Sequence, residues 1–300
     1  MFIHPILSLH IPLFLSIYIQ TYHLLPLRKQ TFLFSFHSRE RGNMLAIFQK
    51  AFAHPLEELR SPTAVDESRA PKRPEEIMKG FHSLHPDNSF SANFGGGAAL
   101  ASCSDARPAS FHHRRLFCSF DEIYCMYVGV LDNLSSLIRD YGLCKSTNDA
   151  QLVIEAYRTF RDRGPYPADQ VVKDLAGTFA FVLYDNKAGT IFAALSSDGG
   201  VPLFWGLAAD GSVVISDEVL VIKGSCGKSY APFPPGCMFH SEGGLRSFEH
   251  PMNKIKAMPR VDSEGIMCGA NFGVDKYTRI NSMPRVGSST DWTVWDESCL

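Results

Sequence analysis

The stretch that decides the fold runs from residue 174 to residue 218 and reads DLAGTFAFVLYDNKAGTIFAALSSDGGVPLFWGLAADGSVVISDE. Large apolar residues alternate along residues 178–184, and the positions between them are also mostly apolar. A strand with this pattern has both faces covered by other layers of structure. Turn-forming residues follow at 185–189 and at 210–211, so the sequence predicts consecutive antiparallel strands joined by hairpins.

The composition is that of a globular chain. Of its 300 residues, 45% are hydrophobic and 20% are charged, which fits one large or two small domains with a sizeable core. The 29 basic and 31 acidic residues nearly balance, and no long basic stripe interleaved with aromatic residues occurs. Nucleic-acid binders carry such a stripe, so we expect no nucleic-acid partner.

The eight cysteines lie far apart and include no CxxC pair. This spacing argues against a zinc ribbon and against a thioredoxin-like redox motif, and we expect neither a metal nor a cofactor. Reduced thiols in a reducing compartment are the simplest interpretation.

Two helices are predicted before the strands of the opening stretch. The first covers about residues 133–141 and ends at Gly142, because glycine is a common residue at helix C-termini. The second covers residues 148–163, with apolar residues at helical spacing and Arg161-Asp162-Arg163 in its last turn, where cations suit the helix dipole. Helix termination is therefore the simpler explanation of both sequence motifs, and ligand recognition is the alternative.

Residues 1–43 differ from the rest of the chain. They are apolar between Pro5 and Leu27 and contain no acidic residue before Glu40. A signal peptide is disfavoured because no basic region precedes the apolar run and no small-residue cleavage site follows it. A membrane helix needs about 20 apolar residues, and prolines and histidines interrupt this run. The third interpretation is a disordered or gene-model extension, with the working protein beginning at Met44.

Several motifs resemble known families. The amidotransferase half of asparagine synthetases is similar at LAGTFAF (175–181), Tyr184-Asp185, VPLFWG (201–206) and Ser216-Asp217-Glu218. Tyr141-Gly142-Leu143 and FRDRGPYP (160–167) resemble the plant aluminium-induced, stem-specific proteins with YGL and LRDR motifs, with Phe160 in place of Leu. The resemblance runs from about Met44 to about Phe272.

This resemblance implies a class II glutamine amidotransferase-like domain of the N-terminal-nucleophile hydrolase type, an α+β fold with four layers, αββα. We expect this domain over residues 44–277, after the extension 1–43 and before a loosely ordered tail at 278–300. Plant relatives begin with a Met-Leu-x-x-Phe stretch like the one at Met44, which favours the gene-model interpretation of the extension.

Amidotransferase chemistry needs an N-terminal nucleophilic cysteine, oxyanion donors and carboxylates that hold the substrate amine. By resemblance, the nucleophile position is Leu45, which has no nucleophilic atom. An Asn-Gly-Glu run of the family corresponds to Val128-Gly129-Val130, where only the glycine N–H is retained. A substrate carboxylate corresponds to Ala176, before Gly177. No Arg-Gly-Pro-Asp run occurs, and the loop at 197–202 is two residues shorter than in the family, so we expect no catalytic residues.

These positions predict a pseudoenzyme, which the resemblance places among regulatory or binding proteins of plant aluminium, hormone and stress responses. One alternative is a glutamine amidohydrolase or amidotransferase that uses Cys103, Cys118 or Cys125 as its nucleophile. Another is a membrane-anchored protein. We expect a cytoplasmic location, with the nucleus or the plasma-membrane periphery as alternatives. The expected partner is an unidentified protein or small molecule, with a homodimer as one assembly and membrane contact only if residues 1–43 are retained.

Overall fold

The computed structural model describes residues 43–61, 70–86, 88–95, 97–103, 114–162, 168–261, 265 and 267–275. The expectations for residues 1–42, for the tail at 278–300 and for Arg163 concern residues outside these ranges.

The described residues form strands, six α-helices and a 3-10 helix at Glu57–Leu59. The strands are β1 (Met44–Phe48), β2 (Ser89–Phe94), β3 (Ala98–Cys103), β4 (Arg115–Phe120), β5 (Ile123–Leu131), β6 (Gly177–Asp185), β7 (Thr190–Leu195), β8 (Phe204–Leu207), β9 (Val213–Ser216), β10 (Tyr230–Pro232), β11 (Cys237–His240), β12 (Gly244–Ser247), β13 (Lys254–Val261) and β14 (Met267–Asp275). The helices are α1 (Lys50–Ala53), α2 (Pro74–Leu84), α3 (Leu134–Asp140), α4 (Asp149–Asp162), α5 (Ala168–Lys173) and α6 (Val219–Cys226).

Two six-stranded sheets form the centre of the molecule. The first has the order β10-β8-β9-β1-β3-β2, and the second has the order β12-β11-β7-β6-β5-β4. Neighbouring strands in both sheets are antiparallel. The opening stretch of the sequence supplies β6 and β7 of one sheet and β8 and β9 of the other, so it contributes to both central layers.

The central strand β6 shows why both of its faces are apolar. Ala180, Val182 and Tyr184 point into the space between the sheets, where they join one apolar cluster. Phe179 and Phe181 point the other way and pack in a second cluster with residues of α3, α4 and α5. The alternation predicted from the sequence is confirmed, because Phe179 and Val182 are each 1% exposed on opposite faces.

The first sheet is covered in the same way. Met44 and Ala46 of β1 face the space between the sheets. Leu45 and Ile47 face outward and pack in a third cluster with residues of α2 and α6. The predicted four-layer αββα arrangement is therefore confirmed.

The two helices predicted from the sequence are α3 and α4. Asn148 caps α4, since its side chain accepts from the Gln151 N–H at 2.9 Å while the Gln151 side chain accepts from the Asn148 N–H at 3.0 Å. Gly142 ends α3 with φ +66°, as expected. Asn133 stands at the N-cap position of α3, but its side chain makes no cap hydrogen bond and instead bonds the backbone at residues 174 and 176.

Helix α2 has no counterpart among the helices predicted from the sequence. The signals were present, because Pro74 occupies the first turn, Glu75 and Glu76 follow it, and Ile77 and Phe81 form one buried stripe. β14 pairs with β13 in a separate two-stranded sheet.

The β13–β14 sheet is attached to the rest of the molecule through its own apolar residues. The Phe272 ring lies 5.4 Å from the Trp205 ring, edge to face. Ala270 and Phe272 belong to the cluster between the two large sheets. Among the helices that the structure describes, none is long and apolar enough to span a membrane.

Candidate functional site

One end of the sandwich carries a polar network that joins the two sheets. Arg115 opens β4 in the second sheet, and its Nε lies 3.0 Å from Oδ2 of Asp217, which follows β9 in the first sheet. The Met44 N–H donates to Oδ1 of the same carboxylate at 2.8 Å, and the Ser216 hydroxyl donates to the Met44 carbonyl at 2.7 Å. The start of β1 is therefore held by both Ser216 and Asp217.

The Asp217 carboxyl is almost fully enclosed, with a side chain only 1% exposed. Burial raises its pKa, because a charged carboxylate loses water there, while the Arg115 guanidinium and the Met44 N–H act in the opposite direction. This electrostatic pair did not follow from the sequence, which placed Ser216-Asp217-Glu218 only as a motif.

Leu45 lies next to this network on β1. Its side chain is 0% exposed and packs in the outer cluster with residues of α2 and α6. Its cross-strand neighbours are Ala101 on β3 and Ser216 on β9. At the position where the resemblance places a nucleophile, the chain thus has an apolar side chain that points away from the space between the sheets.

The run Val128-Gly129-Val130 lies on β5. Val128 is buried in the cluster between the sheets, and Val130 is half-buried. Gly129 has φ +120°, and its N–H donates to the Arg114 carbonyl at 2.9 Å. The only group that the resemblance retained as an oxyanion donor is therefore already engaged with the neighbouring chain segment.

Gly177 faces the same part of β5 from β6. It pairs with Leu131, has φ +140°, and a Cβ placed on it would lie 2.4 Å from the Val130 carbonyl. Ala176 is exposed, and its N–H donates to the Asn133 side chain at 3.1 Å. The structure brings residues 128–130 and 176–177 together on adjacent strands of one sheet, whereas Leu45 belongs to the other sheet.

A second polar centre, missed in the sequence, lies in the shortened loop. Asp198 accepts from the Ser196 hydroxyl at 2.5 Å, from the Thr178 hydroxyl and from the Gly200 N–H at 3.2 Å. Partial burial works to raise the pKa of this carboxyl, but the hydrogen bonds from Ser196 and Thr178 outweigh it and keep the pKa below its usual range. The Asp198 carboxylate therefore accepts hydrogen bonds from its own loop and from the adjoining strand β6.

Arg161 of the FRDR motif does more than end α4. Its Nη1 lies 2.9 Å from Oδ2 of Asp185, a residue that is 0% exposed at the end of β6. Tyr157 donates to the same oxygen at 3.2 Å, and Asp185 Oδ1 accepts the N–H groups of Lys187 and Ala188 in the β6–β7 turn. The arginine thus fixes a turn of the second sheet through a buried carboxylate.

The other motif residues have structural positions too. Asp162 accepts from Arg161 Nε at 2.8 Å on the surface. Tyr141 and Leu143 pack against the cluster between α3, α4 and the second sheet, and the Leu143 N–H bonds the Ile138 carbonyl at 2.8 Å beyond Gly142. The YGL motif is the end of a helix, as the sequence indicated.

The seven cysteines that the structure describes include no disulfide. Cys103 and Cys125 are buried, and burial raises the pKa of the Cys125 thiol well above its usual value. Cys118 is half-buried, with its sulfur 3.6 Å from the Asn148 side chain. In the described part of the chain, no group of three or more His, Cys, Asp or Glu residues could hold a metal ion.

The αββα sandwich and the motifs around its Asp217 end define a class II glutamine amidotransferase-like domain. A probable glutamine-hydrolysing asparagine synthetase of Dictyostelium discoideum is 40% identical over 98 residues, 33% of this chain and 16% of the Dictyostelium protein. An asparagine synthetase of rice is 32% identical over 129 residues, 43% of this chain and 20% of the rice protein. The chain thus spans less than a quarter of these relatives.

The family follows from two further comparisons. The family model described as Aluminium induced protein matches residues 45–274, and the chain belongs to this family. The stem-specific protein TSJT1 of Nicotiana tabacum is 38% identical over 151 residues, 50% of this chain and 99% of the tobacco protein. Among solved structures, a Bacillus subtilis glutamine phosphoribosylpyrophosphate amidotransferase complexed with ADP and GMP aligns with a TM-score of 0.45 and 15% identity, covering 71% of this chain and 50% of that one.

Proposed function

We propose that this protein is a catalytically silent glutamine amidotransferase-like domain that acts by binding. The observation that carries the proposal is the identity and the burial of Leu45. This residue occupies the nucleophile position implied by the resemblance, offers no nucleophilic atom and is fully buried among the residues of α2 and α6. Covalent catalysis by an N-terminal nucleophile requires a thiol or hydroxyl at this position.

The remaining pocket positions support the same proposal. Val128 and Val130 offer neither an amide donor nor a carboxylate, and the Gly129 N–H is used by the Arg114 carbonyl. Ala176 likewise has no charge with which to hold an amino group. A zwitterionic amino acid buried against such groups would lose its hydration without gaining ionic partners, which costs several kcal/mol.

The alternative enzyme would use an internal cysteine, and the surroundings of the three candidates disfavour it. A nucleophilic thiol needs access to substrate and a lowered pKa. Cys103 and Cys125 are buried, and the pKa of Cys125 is shifted upward. The Cys118 sulfur lies 3.6 Å from the side-chain amide of Asn148, which is neither a base nor a cation that would lower a thiol pKa.

Ammonia release from glutamine by the purified full-length chain tests the proposal, with a glutamine-hydrolysing asparagine synthetase as the positive control. We expect no release above the rate without protein. The variant Leu45→Cys should also be inactive, because the new thiol would lie in the outer cluster and the other positions would still be apolar. Release by the unmodified protein that is lost on thiol alkylation would overturn the proposal and direct attention to the Cys103→Ser, Cys118→Ser and Cys125→Ser variants.

Within this proposal, the protein acts in the cytoplasm during aluminium, hormone or stress responses, of which the family description names only aluminium induction. Its partner is a protein or a small molecule, and homodimers are one assembly to test. Light scattering of the purified chain measures the assembly, and fractionation of plant cells measures the location. Recovery of the protein mainly in an alkali-resistant membrane fraction would contradict the cytoplasmic location.

A further inference from the structure

We propose that a cavity on the outer side of the first sheet binds a small organic molecule carrying two or more phosphate groups. The cavity has a volume of about 660 Å³ and lies between the segment before α2, the end of α6 and the β13–β14 sheet. Its lining includes Lys72, Lys223, Lys228 and Arg260, together with the ring of Tyr230, and the described lining residues include no acidic side chain. This site is separate from the Asp217 network, and the proposal does not depend on catalytic silence.

Arg260 is held in a fixed orientation at the cavity wall. Its guanidinium carbon lies 4.0 Å from the centre of the Tyr230 ring, above the ring face. Nη2 donates to the carbonyls of Lys228 at 3.1 Å and Cys268 at 3.0 Å, and Nε also bonds the latter carbonyl at 3.2 Å. Nη1 makes no hydrogen bond to a residue that the structure describes. A planar, pre-oriented guanidinium with donors still available is well suited to a phosphate group.

Lys72 and Lys223 bring mobile positive charge to the same cavity from two other segments. Both are exposed, and neither forms an ion pair with a residue in the described part of the chain. Lys223 lies in the last turn of α6, where a cation is favourable for the helix dipole alone. That explanation does not apply to Lys72 or to Arg260, so the helix dipole does not account for the convergence of all three.

The charge and the size of the cavity together indicate the class of ligand. A cleft lined by charges of one sign concentrates the field and attracts ions of the opposite sign. A volume of about 660 Å³ is typical of small-molecule sites and larger than a single phosphate needs. Cations from three separate segments can contact more than one phosphate at once, so the ligand should carry at least two.

Titration calorimetry of the full-length protein at low ionic strength tests the proposal. The probes are orthophosphate, tripolyphosphate, a nucleoside triphosphate and a sugar bisphosphate. We expect saturable binding of tripolyphosphate with a stoichiometry of one, weaker binding of orthophosphate by about tenfold or more, and weakening with added salt. The nucleotide and the sugar bisphosphate then show which organic part is preferred. The absence of saturable binding by every polyphosphate would overturn the proposal.

Variants that remove positive charge inside and outside the cavity separate a defined site from general surface charge. Lys72→Gln combined with Lys223→Gln removes two exposed cations that make no described ion pair, so folding should be retained. Arg260→Gln tests the fixed cation, with its circular dichroism compared with that of the parent protein. The control is Lys254→Gln on the same strand as Arg260 but outside the cavity lining. We expect each cavity variant to weaken tripolyphosphate binding by about tenfold or more, and equal weakening by the control would refute a defined site.

Discussion

Arg115 Nε and Asp217 Oδ2 lie 3.0 Å apart and connect the two sheets of the sandwich at the end where β1 begins. The second oxygen of Asp217 accepts the Met44 N–H, so one buried carboxylate joins β4, an edge strand of the second sheet, to the start of β1 and the end of β9 inside the first sheet. By the resemblance, the nucleophile position is Leu45, which directly follows Met44 at this end of the sandwich. The pair therefore stabilises the geometry of that region without offering a group that could attack a substrate.

The buried ion pair between Arg115 and Asp217 predicts a large loss of stability when either partner is removed. Arg115→Met leaves the Asp217 carboxylate buried with its backbone donor but without its cation, which should lower the free energy of unfolding by about 3–5 kcal/mol. Urea unfolding at neutral pH measures this change.

The matched control for that variant is Lys50→Met. The Lys50 ammonium lies 4.0 Å from the Glu57 carboxylate in a pair whose side chains are 56% and 76% exposed. This exposed pair should contribute less than about 1 kcal/mol. A cost for Arg115→Met no larger than that of the control would contradict the structural role of the pair, and Arg115→Met combined with Asp217→Asn should recover part of the loss.

Gly129 should tolerate no side chain. A Cβ at this position would lie 2.1 Å from the Thr178 carbonyl oxygen, in a backbone with φ +120°. Because the obstacle is backbone of the paired strand, Gly129→Ala should destabilise the protein by more than about 3 kcal/mol. The control is Gly142→Ala, where φ is +66° and no atom lies within 4 Å of the added carbon. It should cost about 1 kcal/mol, and similar melting temperatures for the two variants would contradict the predicted close approach.

The ion pair between Arg161 and Asp185 predicts that the FRDR motif stabilises the fold. Arg161→Gln leaves the fully buried Asp185 with a tyrosine hydroxyl and two backbone donors but no cation. We expect a loss of about 2–4 kcal/mol. Arg139→Gln, an exposed arginine in the last turn of α3, should change stability by less than about 0.5 kcal/mol. Chemical denaturation of both variants decides between a structural clamp and a ligand-binding arginine, since the latter would leave stability nearly unchanged.

Two histidines predict a loss of stability on mild acidification. Burial lowers the pKa of His85, with Glu218 acting in the opposite direction. Burial likewise lowers the pKa of His240, where Arg246 adds to the shift and Glu242 opposes it. Below the usual histidine pKa of about 6.5, the unfolded chain takes up protons that the folded chain does not, so the free energy of unfolding falls as the pH decreases.

The free energy of unfolding should change with pH by at most about 1.4 kcal/mol per pH unit for each histidine. Urea unfolding at pH 7.5, 6.5 and 5.5 measures it. His85→Gln keeps a hydrogen-bonding group near the Asn43 amide, which lies 3.1 Å from Nε2 in the parent, and removes the titrating ring. Its slope over this range should be smaller than that of the parent, and an unchanged slope would exclude His85 as a source.

The layers could be predicted because they depend on local pattern. Alternation in β6, with apolar residues on both faces, required a covering layer on each side, and the structure has a sheet on one side and helices on the other. The order of the four layers was implied by the resemblance. The helix boundaries at Asn148 and Gly142 could be predicted because capping residues act within one turn of their helix. Helix α2 was not predicted, although Pro74, Glu75 and Glu76 form a usual helix start and Ile77 and Phe81 form its buried stripe.

The ion pairs that connect different elements could not be predicted, because each joins residues far apart in the sequence. Arg161 and Asp185 are on different elements, as are Arg115 and Asp217, and nothing in their local spacing indicates the partner. The orientation of Leu45 is a similar case. The resemblance identified the position, but which face of β1 it occupies depends on the register with β3 and β9. The expectations for the extension and the tail stay predictions.

The Gly129 N–H donates to the Arg114 carbonyl, and this bond limits what side-chain substitutions alone could add to this part of the domain. Substituting Val128, Val130, Ala176 and Leu45 would change the side chains at four positions of the pocket that the resemblance implies. It would not release that N–H, because the bond joins the backbone of Gly129 to the backbone of Arg114 and involves no side chain. Freeing this donor therefore requires a different pairing between β5 and the residue that leads into β4, so the backbone as well as the side chains sets what this part of the fold can bind.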